Sequence, residues 1–412
     1  MFQLARQLTP PVIVTATSHL GVWQLGLADQ HIVAQTPEPI EGLEHGLRGV
    51  LLVTGEIDRD RTKPINDRVL NWLRQFCGYH SMPLLIEADG ARGKPLKAWA
   101  EHEPPIPFFA DLVAHVVGLT GLWKPLNEET VHRPQIFSEL SQLNLGALIT
   151  PDALVRVLIR PESGLKNVPA KARKVLLLNQ ADNPELQSTA QGMAQALISR
   201  YDSVVITSLE QQRTFAVHEP VAAILLAAGE SKRFGQPKQL LDWKGQPFVR
   251  AVAKTALEAG LSSVLVVTGA NAEQVEPTVK DLNVKVIRNE EWASGQASSI
   301  RAGVREAKGA GAAIFLLTDQ PQLTPSILRA LVEKHAEGLY PVVAPMVMDQ
   351  RANPVLFDRA TFPDLLTLQG DVGGRAIFHK HRVEYLPWHD DRLLLDVDTP
   401  EMYRRLLSDE TL

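Results

Sequence analysis

Five residues in one short stretch have the chemistry to hold a chain of phosphates. Gly229 and Gly235 bracket Lys232 and Arg233, Lys238 follows, and an apolar run at 221–227 leads in. The glycines let the backbone come close to a ligand and let neighbouring amides point at its oxygens, while the cations oppose a polyanion. A solvated basic turn is the alternative, because short glycine motifs recur by chance. Two carboxylates stand at the ends of later apolar runs: Asp319 after 313–318, and Asp398 after 393–397. Such oxygen donors suit Mg2+ better than a softer metal. For Asp398 the start of a helix at Pro400 is an equal alternative. Histidine is absent from these motifs, which fits transfer from a nucleoside triphosphate to a phosphate. That acceptor is already largely dianionic near neutral pH, so the reaction needs charge neutralisation rather than a strong base.

The elements that must position these residues follow a regular alternation. Strand-like runs occur at 12–15, 50–55, 84–90, 116–121, 175–182, 204–207, 222–229, 264–269, 313–319 and 342–347. Helical spacing appears at 68–76, 190–199, 249–259 and 326–335. The pattern predicts an α/β protein with mainly parallel sheets covered on both faces, in two doubly wound, Rossmann-like domains. Ligands in such sheets sit beyond the carboxyl ends of strands, where the glycines and acids fall. A chain of 412 residues exceeds one ordinary core. The polar stretch EQQRTFAVHEP at 210–220 places the boundary, giving domains 1–214 and 219–412. A net charge of −5 argues against a general nucleic-acid binder. The single cysteine, Cys77, allows no internal disulfide, no apolar run approaches the roughly 20 residues of a membrane span, and the opening is a poor signal peptide. The expectation is a soluble, cytoplasmic protein.

The stretch LAAGESKRFGQPKQLL at 226–241 resembles the signature loop of the nucleotidyltransferases that attach a nucleotide to molybdopterin, written LAxGxSxRxGxxKxLL. Leu226, Ala227, Gly229, Ser231, Arg233, Gly235 and Lys238 match. The resemblance continues through GQASSIRAG at 295–303, LTDQP at 317–321, RANPVLF at 351–357, Gly370-Asp371 and DVDTP at 396–400, and covers nearly all of 221–405. It implies a nucleotide-diphospho-sugar-transferase-like fold. It assigns catalysis to Lys238, Arg233 and Asp319: Lys238 bridges the phosphates as pyrophosphate leaves, and Arg233 binds the β or γ phosphate. Lys232 lies outside the pattern and reads as solvated. Leu226, Ala227, Ala228, Gly229, Ser231, Gly235, Gly295, Ser298, Ser299 and Thr318 fall to the nucleotide, with 295–299 closing over base and ribose. A serine-rich helix start before Ile300 is the structural alternative there.

The same resemblance gives Mg2+ to Asp319 and Asp398, and the acceptor to Arg351, Asn353, Pro354, Gly370 and Asp371, with Arg375 beside them. Ala352 stands where relatives commonly carry glycine. Guanylyl-transferring relatives usually read LAGG and cytidylyl-transferring ones LAAG, so the methyl of Ala228 favours a pyrimidine. The implied function is transfer of CMP from CTP to molybdenum-molybdopterin, giving the cytosine dinucleotide cofactor for a client molybdenum hydroxylase. The alternatives are a GTP-using transferase, a transferase with another phosphorylated acceptor such as a sugar phosphate, and a non-catalytic cofactor carrier.

In the first half, LLIEADG at 84–90 has the form of a Walker B strand and NQAD at 179–182 that of a guanine-reading NKxD element with glutamine for lysine. Acids at strand ends also serve as caps and turn formers. With the blocks at 87–97 and 123–134, these segments resemble the P-loop-type accessory proteins of selenium-dependent molybdenum hydroxylases over about 1–210. No GxxxxGK[ST] loop exists in the chain. In that family it would precede a helix like 1–8, so either the start is truncated or the nucleotide site is lost, and no ATPase or GTPase activity is expected from this half. His132 and Arg133 read either as anion contacts or as cap and interdomain residues.

Overall fold

A run like Val12–Ala16, with every side chain buried, belongs inside a sheet covered on both faces. This strand, β1, runs parallel to its neighbours. The sheet order is β2 (Gln30–Val33), β3 (Val50–Thr54), β1, β4 (Leu84–Glu87). Helix α1 (Asp67–Tyr79) connects β3 to β4; Asn66 caps it by accepting from the Val69 N–H at 3.0 Å, and Val69, Leu70, Leu73 and Cys77 face the core. Strand β5 (Leu112–Gly118) and helices α2 (Pro134–Ser141) and α3 (Pro151–Ile159) follow. The computed structural model describes residues 1–41, 46–231 and 234–408, in two units, Met1–Lys174 and Val175–Leu412.

The second unit begins within β6 (Arg173–Asn179), followed by α4 (Pro184–Leu197), β7 (Ser203–Ser208) and β8 (Arg213–His218). β6 and β7 pair in parallel, and β8 returns antiparallel to β7. Next come β9 (Val221–Ala227), α5 (Phe248–Glu258), β10 (Ser263–Thr268), β11 (Lys285–Arg288), α6 (Gln296–Glu306), β12 (Ala312–Leu317), α7 (Pro325–Gly338), β13 (Val342–Val347), β14 (Gln350–Arg351), β15 (Val355–Asp358), β16 (Val383–Pro387) and α8 (Pro400–Ser408). They build an eight-stranded sheet in the order β11-β10-β9-β12-β15-β13-β14, with β16 parallel to β13. The expected boundary at 215–218 coincides with β8, which belongs to this unit and lies against α7 of the same unit.

Both parities of β9 are apolar because both faces are covered. Ala223, Leu225 and Ala227 pack with Val249, Val252, Ile327 and Leu328 from α5 and α7, while Ala222 and Ile224 pack with Ile300 and Val304 from α6. A Cβ at Gly303 would run into the Ile224 side chain, so glycine there lets α6 press onto β9. The sheets are mainly parallel; besides β8, the departures are β14, antiparallel to β13, and β15, which lies antiparallel between β12 and β13. Left-handed Met348 and Asp349 (φ 47° and 60°) reverse the chain after β13, so no crossover helix is needed. Among the described residues no helix is long and apolar enough to cross a membrane.

Candidate active site

β9 lies between β10 and β12, with Leu226 level with Leu317 and Ala227 with Thr268. The loops leaving the carboxyl ends of these strands therefore converge. Gln239, buried, organises the loop after β9: its Nε2 donates to the carbonyls of Gly229 (2.7 Å) and Ala227 (3.3 Å), and its Oε1 accepts from Ser231 Oγ (3.3 Å). Ser231, left-handed at φ 59°, accepts at Oγ from the Lys238 backbone N–H at 3.0 Å. Asn271 also donates to the Gly229 carbonyl. Ala228 is buried and its methyl abuts Gly269 at the end of β10. Lys232 and Arg233 lie outside the described residues.

Lys238 is anchored at its backbone, and its ammonium reaches across to two carboxylates. Nζ lies 3.0 Å from Asp319 Oδ2 and 2.7 Å from Asp398 Oδ1. Burial works against the ammonium, but the charge of Asp319 and hydrogen bonds to Asp398 and Asp319 outweigh it and raise its pKa. Asp319 Oδ1 is buried with no hydrogen-bond partner among the described residues. At the start of α8, Thr399 Oγ1 takes the Met402 N–H, while the Asp398 carboxylate meets Lys238. A third carboxylate, Asp396, is pushed up to about 6 by burial and by the charges of Asp319 and Asp398. Two glutamines tie this segment down. Gln320 Nε2 donates to Asp396 Oδ1 (2.8 Å) and the Leu393 carbonyl (3.2 Å), and Gln322 Nε2 to the carbonyls of Leu395 (2.7 Å) and Arg392 (2.9 Å). The Val397 N–H closes the join on the Asp319 carbonyl at 3.0 Å.

Among the described residues no group of three or more His, Cys, Asp or Glu is arranged to hold a metal ion. Asp319 and Asp398 do fit a hard divalent ion that draws its other oxygens from phosphate and water, the usual habit of Mg2+. The partnerless Asp319 Oδ1 is the spare acceptor capacity such an ion uses.

The remaining motif residues form two further groups. Gly295 (φ 107°) starts α6, and a Cβ there would run into the carbonyl of Gly370 and the amide of Asp371. The Gly370 carbonyl accepts from the Ala297 N–H (3.2 Å), and Asp371 Oδ1 from the Gln296 N–H (3.4 Å). Ser298 and Ser299 are buried, and their hydroxyls accept from Asn289 Nδ2 at 2.8 and 3.0 Å. Thr318, also buried, donates toward the Leu226 carbonyl. Arg351 lies over the Tyr385 ring at 5.6 Å, Pro354 is buried, and Arg375 donates to Asn353 Oδ1 (3.3 Å) and the Arg351 carbonyl (3.4 Å). The structure thus joins Lys238, Asp319 and Asp398 in one cluster and Arg351, Asn353 and Arg375 in another. Gln239, Asn289, Gln320, Gln322 and Asp396 have no role in the sequence reading. Asp396, Gln320 and Gln239 lie in the DVDTP, LTDQP and 226–241 blocks, whereas Asn289 and Gln322 carried no signal.

In the first unit the Walker-B-like segment leads into an ion cluster. Lys97 Nζ donates to Asp89 Oδ1 (2.5 Å) and the Gly90 carbonyl (3.1 Å), and lies 3.3 Å from Glu103 Oε2. Trp99 donates to Asp89 Oδ2 at 2.6 Å, and Arg133 pairs with Glu103 through both terminal nitrogens. Burial opposes the Glu103 carboxylate, but Arg133 and Lys97 hold its pKa at about 2. His132 is lowered by burial and by the nearby charges of Arg133, Lys97 and Arg92. Asn179 spends its side chain accepting from the Leu209 N–H at 2.9 Å.

Two family models match the chain: the MobA-like NTP transferase domain over residues 223–385, and the YqeC protein over 1–135. The chain is 33% identical over 196 residues to nicotine blue oxidoreductase of Paenarthrobacter nicotinovorans, spanning 45% of this chain and 96% of that protein. It is 34% identical over 202 residues to purine catabolism protein PucB of Bacillus subtilis, again 45% and 96%. To molybdenum cofactor cytidylyltransferase of Escherichia coli it is 24% identical over 182 residues, 44% of this chain and 92% of that protein.

Proposed function

The chain belongs to the MobA-like NTP transferase family, and on that premise we propose that this nucleotidyltransferase carries CMP from CTP to molybdenum-molybdopterin, for maturation of a molybdenum hydroxylase. The terminal phosphate oxygen of the pterin attacks the α-phosphorus of CTP. The bond from that phosphorus to its bridging oxygen breaks, and pyrophosphate leaves with the electron pair. The observation that supports this reading is the Lys238 ammonium set against Asp319 and Asp398 where β9 and β12 end. Lys238 sits on a pinned backbone, so its four-carbon stem delivers the charge to phosphate oxygens while the loop stays in place. Asp319 and Asp398 would hold Mg2+, which would neutralise phosphate charge when bound. Arg351, Asn353 and Arg375 face the acceptor.

The buried methyl of Ala228 narrows the space beside β10 and favours a pyrimidine over guanine. Ala228→Gly is expected to move the CTP-to-GTP ratio of kcat/KM toward GTP by about 1–3 kcal/mol. The deciding experiment supplies each nucleoside triphosphate with molybdopterin and reads pyrophosphate. Release with CTP and the pterin is expected; release only with GTP, or only with a sugar phosphate as acceptor, removes this substrate assignment.

A further inference from the structure

The two carboxylates that suit a divalent ion converge on a cation of the protein itself. Asp319 Oδ2 and Asp398 Oδ1 converge on the Lys238 ammonium at 3.0 and 2.7 Å. A divalent ion bound by the same two oxygens at about 2.1 Å would be crowded against that ammonium, and like charges at such range in a half-buried site repel strongly.

We propose that Lys238 is a place-holder for the metal: its ammonium guards Asp319 and Asp398 until a metal-bearing triphosphate arrives, and then exchanges the carboxylates for the phosphates. The inference rests on the reading of Asp319 and Asp398 as the metal-holding pair. Three features support the exchange. The backbone of Lys238 is fixed through Ser231 and Gln239, so only the side chain has to swing. Asp319 keeps a buried Oδ1 that the lysine leaves without a partner, so lysine fills the pair incompletely. Gln320, Gln322 and the Val397 N–H hold the carboxylate segment in place, so the pair persists when the ammonium departs. The consequence is obligatory coupling: the ion binds poorly alone and well with nucleotide, and the nucleotide gains the same factor from the ion.

The test measures Mn2+ binding to the full-length protein by electron paramagnetic resonance of the free ion, with water-proton relaxation separating protein-bound from CTP-bound metal. Without nucleotide, Lys238→Met is expected to bind Mn2+ at least about tenfold more tightly than wild type, whereas Arg375→Met, which removes a nearby charge that touches neither carboxylate, changes affinity by less than about threefold. Wild type alone gives a second reading that needs no variant to fold: CTP is expected to tighten Mn2+ binding by about tenfold or more beyond chelation by CTP itself. Equal Mn2+ affinity in wild type and Lys238→Met overturns the proposal. So does equal tightening by Arg375→Met, or wild-type binding that ignores CTP. These readouts do not use turnover. The expected metal behaviour without CMP transfer would sink the cytidylyltransferase assignment alone, and transfer with uncoupled metal binding would sink the place-holder alone.

Discussion

Each unit sets a lysine between two carboxylates, and the two arrangements are finished differently. Around Lys97 all partners are provided: Asp89, Glu103 and the Gly90 carbonyl meet the ammonium, Trp99 takes the second oxygen of Asp89, and Arg133 takes Glu103. The side chains are largely enclosed, Lys97 at 8% exposure and Glu103 at 16%. Around Lys238 the cluster is incomplete: Asp319 keeps a buried oxygen without a partner and Asp398 is 51% exposed. A satisfied ion cluster has nothing left to offer a ligand and serves as scaffold. One with spare acceptors at a strand-end cleft is equipped to take something from outside.

Substitutions can break that contrast. The largest effect is expected from Lys97→Met, which takes the ammonium from Asp89, leaving it Trp99, and one of two cations from Glu103, and should cost about 3 kcal/mol of stability in urea unfolding. Lys238→Met should shift stability by less than about 1 kcal/mol, because one partner is half in water, yet lower kcat for pyrophosphate release by about 10²–10³. If both variants unfold alike, or if Lys238→Met turns over normally, the two lysines are the same kind of residue and the distinction fails. A smaller effect sharpens it through acid. Glu103 is held at about 2 in the fold against an ordinary 4.5. The stability it contributes is therefore present above 4.5 and lost as pH falls through that value toward 2. Wild type should lose stability across that window, and Glu103→Gln, already lacking the contribution, should show a flatter profile in acid unfolding followed by circular dichroism.

Much of the framework could be read from the chain because it depends on local pattern. The apolar runs at 12–15, 264–269 and 342–347 became strands, and the periodic segments at 68–76, 249–259 and 326–335 became α1, α5 and α7. Strand β15 escaped notice because VLF gives no hint of which strands it will lie between; that is decided by the left-handed turn at Met348 and Asp349 and by pairing across the sheet. The first unit's acids looked like a metal strand for the same reason. Nothing near Asp89 in sequence announces that Lys97 and Trp99 will fold back to consume it. The roles of the glutamines could not be read either. Gln320 and Gln322 act through backbone carbonyls more than seventy positions away, and an amide side chain carries neither charge nor periodicity to betray such a partner.

The seam where Gly295 lies against Gly370 also constrains how such a protein can be re-engineered. The wall at 295 cannot be thickened by even a methyl group unless the 370–371 backbone retreats, so the first segment is cut to fit the second. Grafting residues 291–300 from a homologue without also carrying over 366–373 would leave a mismatched joint, and useful chimeras have to inherit both pieces from one parent.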